Sequence, residues 1–231
     1  NEDIVESQIV DIDYQQLREP YIYCVTGVGN LAVLHYNRAD GIVGWSEWIT
    51  QGSFESVAII RGTDNDEVWV TVKRTINGSE VRFVERFNPT RWSDAEDAYY
   101  LDAGITYDGA ATTTITGLSH LNGQECRIYA DGAVASNDIP SGGQLTLEES
   151  ASVVHVGLGF TPKWRPMRLD MDSTFGNSQG RQKRIDEVFI RLFKSREVQF
   201  GVDNGGTTRT VKLRDTTDVM NAPYPLITKE I

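Results

Sequence analysis

Between Phe54 and Phe87 apolar and polar residues alternate in three runs, Glu55–Ile60, Val68–Thr75 and Val81–Phe87. Period-two alternation rich in β-branched and aromatic residues predicts half-buried strands. Ile76-Asn77-Gly78-Ser79 separates the second run from the third. Asn-Gly between alternating runs predicts a two-residue type I′ hairpin, because both central residues of that turn need φ > 0. The stretch therefore reads as an antiparallel meander whose first turn is the polar segment Arg61–Asp66.

An earlier copy precedes it. Ile9–Tyr14, Tyr21–Thr26 and Leu31–Tyr36 align with the three runs at offsets of 47, 47 and 50 residues, and Ile42–Thr50 adds a fourth strand with two tryptophans. Four short antiparallel strands at a period in the forties predict units like propeller blades. The fourth strand of the second copy falls best on Ala98–Ala103. A meander within a sandwich is the plainer reading of the same pattern.

Residues 88–97 form a polar linker. Beyond it, strands are expected over Thr112–Thr116, Glu125–Ala130, Ala133–Ala135, Gln144–Leu147 and Val153–Leu158, with a hairpin turn at Asp131-Gly132. Strands of about five residues at intervals of about ten predict a small barrel or sandwich. Residues 161–181 read as irregular. Arg184–Lys194 reads as a helix or a strand, with its apolar run favouring a long strand; Thr208–Leu213 reads as an alternating strand and Leu226–Ile231 as a last one. The fold expected is all-β: two propeller-like four-stranded units over residues 1–90, then a β-barrel or sandwich domain over 98–231 with an irregular insert at 161–181.

The chain has 231 residues, enough to bury a core without staples, and a net charge of −11. Such a surface repels nucleic-acid phosphates and anionic membranes. No apolar run reaches the roughly 18 residues of a membrane-spanning helix. Cys24 and Cys126 lie in expected strands and read as small buried hydrophobes. The absence of a starting Met or a leader-like segment reads as a fragment.

Catalytic templates fail. The sequence has no G-x-S-x-G, P-loop, dinucleotide-binding glycine motif or H-E-x-x-H. His35, His120 and His155 are far apart, no Cys/His spacing resembles a zinc site, and no cofactor or metal is expected. Asp64-Asn65-Asp66-Glu67 reads as a solvated hairpin tip rather than a cation loop, since it lacks the glycine and distal Glu of an EF-hand. Trp45 and Trp48, three apart, face opposite sides of a strand, so one is core and the other can be exposed. Exposed tryptophans suit sugar stacking, which makes a carbohydrate-binding module that recognises a host surface the alternative reading. Arg181, Lys183 and Arg184 form a basic cluster in an acidic chain. With Trp48 they are the candidate partner-binding residues.

The run from Tyr21 to Phe87, with its Trp-x-x-Trp, FESVAII and VKRTINGSEVRFVERF segments, resembles the tail nozzle proteins of short-tailed bacteriophages, also called tail tubular protein B. The likeness continues through YYLDAGITYDG, ITGLSHLNGQ, SGGQLTL, VVHVGLGF and SQGRQKRIDEVFIRLFKS. Residues 105–160 also resemble the small FCCH β-barrel of ubiquitin-activating enzymes, as a fold likeness without an adenylating or thiol-transfer site. The nozzle resemblance implies a propeller with added β domains, of which this chain is a C-terminal portion. It implies a ring-forming homo-oligomer in the virion, assembled in the bacterial cytoplasm and joined to other tail proteins, the adaptor and the tail fibres. It further implies transient passage of DNA without specific binding, no membrane insertion and no catalysis.

Overall fold

The computed structural model describes residues 5, 7–17, 19–88, 92, 94–165, 172–173, 176–177, 187–195, 198–201, 208–211, 216, 218–219, 223 and 226–231. Two compact units divide the chain, Asn1–Phe160 and Thr161–Ile231. Strands dominate both, no α-helix occurs among the described residues, and no helix is long and apolar enough to cross a membrane. The all-β expectation therefore holds.

The first sheet is a meander in the order β1 (Ile9–Gln15), β2 (Tyr21–Thr26), β3 (Leu31–Asn37), β4 (Ile42–Trp48). The second repeats the pattern with three strands, β5 (Ser53–Ile60), β6 (Glu67–Ile76) and β7 (Ser79–Arg86). Asn77 and Gly78 both take positive φ, 48° and 77°, as the expected hairpin requires. No fourth strand joins β7 among the described residues. Ala98–Ala103, expected to supply it, instead leads into β8 (Asp102–Thr116) of another sheet. The strand pattern there begins with residues tied to that other sheet, as the histidine contacts below show.

The first two sheets pack face to face. Tyr23, Val25, Leu31 and Val33 from one meet Phe54, Val57, Val68, Val70 and Val72 from the other. Alternation on β6 places Val68, Val70, Val72, Arg74 and Ile76 inward and Trp69, Thr71, Lys73 and Thr75 outward. Burying an aliphatic side chain of this size contributes about 1.5–3 kcal/mol, so this interface is the main source of stability for the pair. Gly52 lies where the chain enters β5, at φ 140°, and a Cβ there would sit 2.3 Å from the Lys73 carbonyl oxygen. Gly52→Ala should cost about 1–3 kcal/mol through strain and displaced backbone. A urea midpoint within error of the parent chain would show that the loop yields freely.

The third sheet has the order β10-β9-β11-β8, where β9 is Cys126–Ala130, β10 Ala133–Asp138 and β11 Gln144–Leu158. The sequence divides β11 into two strands and shortens β8 to its Thr-rich end. In the structure each is one strand of 15 residues, bent by register shifts at Thr146/Ala151, Ala151/Val153 and Val156/Leu158. Such irregularities bend a strand without ending it. The sheet curls over Ile115, Leu118, Leu121, Cys126, Ile128, Leu145, Val154, Val156 and Leu158. Asp131 and Gly132 have φ 45° and 79°, the expected hairpin between β9 and β10. Among the described residues this sheet is not closed into a barrel.

The second unit holds two-stranded pairs: β12 (Asp172–Ser173) with β13 (Gly176–Asn177), β14 (Arg191–Ser195) with β17 (Ile227–Glu230), and β15 (Gln199–Gly201) with β16 (Thr208–Thr210). Of the long strand expected over Arg184–Lys194, residues 184–186 lie outside the described ones and the regular part begins at Arg191.

Candidate functional site

Trp48, one of the candidate partner residues, is half-buried between the first two sheets. Its ring stands 5.9 Å from Tyr23 and 5.5 Å from Phe87, and Nε1 donates to the Ser46 hydroxyl. Pairing of Leu31 with Trp48 and Leu34 with Trp45 puts the two indoles on opposite faces, as the spacing requires. Trp69 is covered by the Arg86 guanidinium and donates to Glu67. These three tryptophans therefore do not share a sugar-stacking plane. Arg181, Lys183 and Arg184 lie outside the described residues. Of the neighbouring cations, Arg191 is bonded to Glu230, and Lys194 sits over the Phe193 ring.

Trp45 belongs to a surface of another kind. Cross-strand pairing aligns Tyr14, Ile22, Leu34 and Trp45 in one row across the outer face of the first sheet. Ile12, Cys24, Ala32 and Glu47 form the next row, with Cys24 and Ala32 buried, and Tyr36 with Val43 extend the face on the far side. Ile12 is 57% exposed and Val43 66%. The outer face of the second sheet is the reverse: Arg82 pairs with Glu55, Arg86 with Glu67 and Lys73 with Glu80. One outer face is thus apolar and the other is a lattice of ion pairs suited to water.

Beneath the second sheet is a buried polar knot. Arg74 is 2% exposed. Its Nε and Nη2 donate to the two oxygens of Glu85 at 2.6 and 2.7 Å, and Nη1 donates to the Thr50 hydroxyl and the Gln51 carbonyl at 2.8 and 2.7 Å. The Thr50 hydroxyl donates in turn to Asp102 Oδ2 at 2.7 Å. The knot ties β6 and β7 to the β4–β5 loop and to the start of β8. Burial pushes the Asp102 carboxyl above its ordinary range, against the Thr50 bond and the Arg74 charge, while Glu85 adds to the rise. Burial, with Asp102 and Glu85 behind it, also raises the Tyr99 phenol.

The chemistry available to this knot is that of a brace. Its carboxylates are engaged by a guanidinium and a hydroxyl instead of converging on open space. The adjacent cavity, about 240 Å³, is lined by Gln51, Gly52, Thr75, Ile76, Gln124 and Leu158, none of them ionisable. A protein that holds a proton more tightly folded than unfolded loses stability as pH rises from the unfolded carboxylate range through the raised folded value. Asp102→Asn keeps an acceptor for Thr50 and removes that loss. Above the window the variant should match or exceed the parent by up to about 1 kcal/mol, and below it the difference should vanish. Urea unfolding at acid and neutral pH checks this; a clear loss at neutral pH would contradict it.

Asp66 forms a second hub. It is buried, and its Oδ2 accepts from the Gln16 and Leu17 backbone N–H groups at 2.8 and 3.0 Å and from Arg61 at 2.8 Å. Oδ1 accepts from Gly62, and the Asp66 N–H donates to Leu17 O. The Asp64–Glu67 tip is therefore anchored to the end of β1 through Asp66, where the sequence suggested a solvated turn. Nearby, Asp11 and Asp13 accept from the Val57 and Ile59 N–H groups at 3.0 and 2.7 Å, closing the edge of β5. Among the described residues no group of three His, Cys, Asp or Glu is placed to hold a metal.

Two histidines tie the chain to the third sheet. The His155 ring bridges the Thr106 hydroxyl and the Glu96 carbonyl, each at 2.8 Å, between Tyr99 and Tyr129, and Tyr129 donates to Ala95 O. Ala95 and Glu96, within the stretch read as a linker, are thereby fixed to the third sheet. His120 Nε2 lies 2.8 Å from Ala103 O, and its ring meets Phe83 edge-on. Both cysteines are free and buried, and burial, with Asp138 behind it, pushes the Cys126 thiol up to about 11. Comparison of the sequence with protein-family models and with curated proteins found no match.

Proposed function

We propose that this chain is a structural component of a bacteriophage tail, of the nozzle or tail tubular kind, that forms part of the conduit for genome ejection. In this reading its first two sheets are neighbouring propeller-like blades. The observation that carries it is the apolar outer face of the first sheet, set against the ion-paired outer face of the second. Exposed apolar side chains grouped on one face, here Ile12, Tyr14, Tyr36 and Val43, mark a contact. The inner face of the same sheet is already covered by a meander of like design, so another such sheet is the fitting cover.

The partners in this reading are further copies in a ring, the adaptor and the tail fibres, and the place is the virion. The net charge of −11 suits a channel that lets DNA pass without holding it. The knot of Arg74, Glu85 and Asp102 works as a brace, so the chain needs no catalysis of its own. Replacing Val43 with arginine tests the reading. The isolated chain should fold as before, because Val43 touches solvent there, while particles carrying the change should assemble poorly and lose infectivity. Normal particle yield and infectivity with Val43→Arg would overturn it.

A further inference from the structure

The second sheet has two edges, and they are finished differently. The β5 edge is closed by the carboxylates of Asp11 and Asp13. The β7 edge carries no such plug. Phe87 N–H donates to Val68 O, and the hairpin turn closes with Ile76 opposite Ser79. Hydrogen-bonded pairs recur at every second residue of an antiparallel ladder. Glu80, Arg82, Val84 and Arg86 therefore turn their N–H and C=O groups away from β6. Among the described residues nothing pairs with them.

Natural sheets guard exposed edges with bulges, prolines, charged side chains or very short strands. β7 has no bulge and no proline, and its guard is charge alone: Glu80, Arg82, Glu85 and Arg86. It runs eight residues, and its pairing with β6 shows no register shift. Its charges are neutralised by Glu55, Glu67 and Lys73 on its own sheet, and Val84, in the middle, is 70% exposed. In the first sheet the equivalent edge, that of β3, is occupied by β4.

We propose that β7 pairs antiparallel with β7 of a second copy of this chain, across a two-fold axis at Phe83. The order of charges selects both occupant and register. With the axis at Phe83, Glu80 faces Arg86 of the partner subunit and Arg82 faces Val84 of the partner subunit, each contact occurring twice. Phe83 faces Phe83 of the partner subunit as the close, non-hydrogen-bonded pair. Moving the axis one residue toward the turn sets Arg82 against itself. Moving it one residue the other way sets Arg82 against Arg86. Like charges directly opposed destabilise a sheet, so the central register is the one that the sequence favours. The pairing does not rest on the tail reading; it uses an edge, whereas that reading uses the outer face of the first sheet.

An edge contact of this length buries less than the roughly 1,200 Å² of a stable complex, so the dimer forms reversibly at high concentration. The test is sedimentation equilibrium of the full chain from about 10 to 500 µM, a range suited to micromolar-to-millimolar dissociation constants. A monomer–dimer equilibrium is expected. Val84→Pro, which removes an outward N–H and spares the bonds to β6, should weaken it at least about tenfold. Glu80→Arg and Arg86→Glu should each weaken it, and the two together should restore it. Phe83→Cys should give a disulfide-linked dimer on mild oxidation, the native thiols being buried. A monomer throughout the range overturns the proposal. So does a larger or differently built oligomer that Glu80→Arg leaves unchanged, or a failure of the paired charge reversal to restore association.

Discussion

Replacing Arg74 with leucine is expected to lower the stability of the chain by about 3–5 kcal/mol, the cost of breaking a buried ion pair from one side. The guanidinium donates to Glu85 twice, to Thr50 and to Gln51. Its loss leaves the Gln51 carbonyl without this donor and Glu85 without its counter-ion. Asp102 also loses the charge that favours its ionised form. Because the knot joins the second sheet to the third, loosening both is expected. Equilibrium unfolding in urea measures the change. The double variant Arg74→Leu/Glu85→Leu should recover much of it, since removing both members of a buried pair is far less costly than removing one. A loss below about 1 kcal/mol in the single variant would mean that the pair is solvated and that the sheets are held by apolar packing alone.

Asp66→Ala is expected to be next in size, at about 2–4 kcal/mol, because it leaves backbone donors and a guanidinium without their acceptor. Burial by itself would raise the Asp66 pKa. The N–H groups of Leu17, Gln16 and Gly62, with the Arg61 charge, outweigh that and hold the carboxyl below its ordinary range. A carboxyl lowered in the folded state adds stability above the unfolded carboxylate range, and that stability is lost as pH falls through the lowered value. The parent chain should therefore lose stability in acid more steeply than Asp66→Ala does. Urea midpoints across the acid range decide it. Parallel curves for the two proteins would remove Asp66 as the cause. The Asp102 contribution runs the other way, and its variant separates the two.

What was legible in the sequence was whatever depends on neighbouring residues. Alternation over Val68–Thr75 and the Asn77-Gly78 turn placed β6 and β7, because a strand's period and a turn's φ are local properties. The spacing of Trp45 and Trp48 put them on opposite faces for the same reason. The outer rows of Ile12, Tyr14, Ile22 and Leu34 were also in view. They were read simply as strand residues, because their exposure depends on what the other sheet covers. Arg74 looked like any polar member of an alternating strand. Its parity with Val68, Val70 and Val72 was the signal that it points inward, and a buried arginine demands an acid. Glu85 has the matching parity on the facing strand. Asp66 was hidden because its partners, Gln16 and Leu17, are far away in the chain. β11 was divided into Gln144–Leu147 and Val153–Leu158, whereas irregular register carries one strand through residues 148–152.

Labelling this chain within purified particles and imaging them by electron microscopy tests the tail assignment most directly. The label should lie at the tail, arranged around its axis. A label on the capsid, or none on particles produced in cells that make the chain, would contradict it.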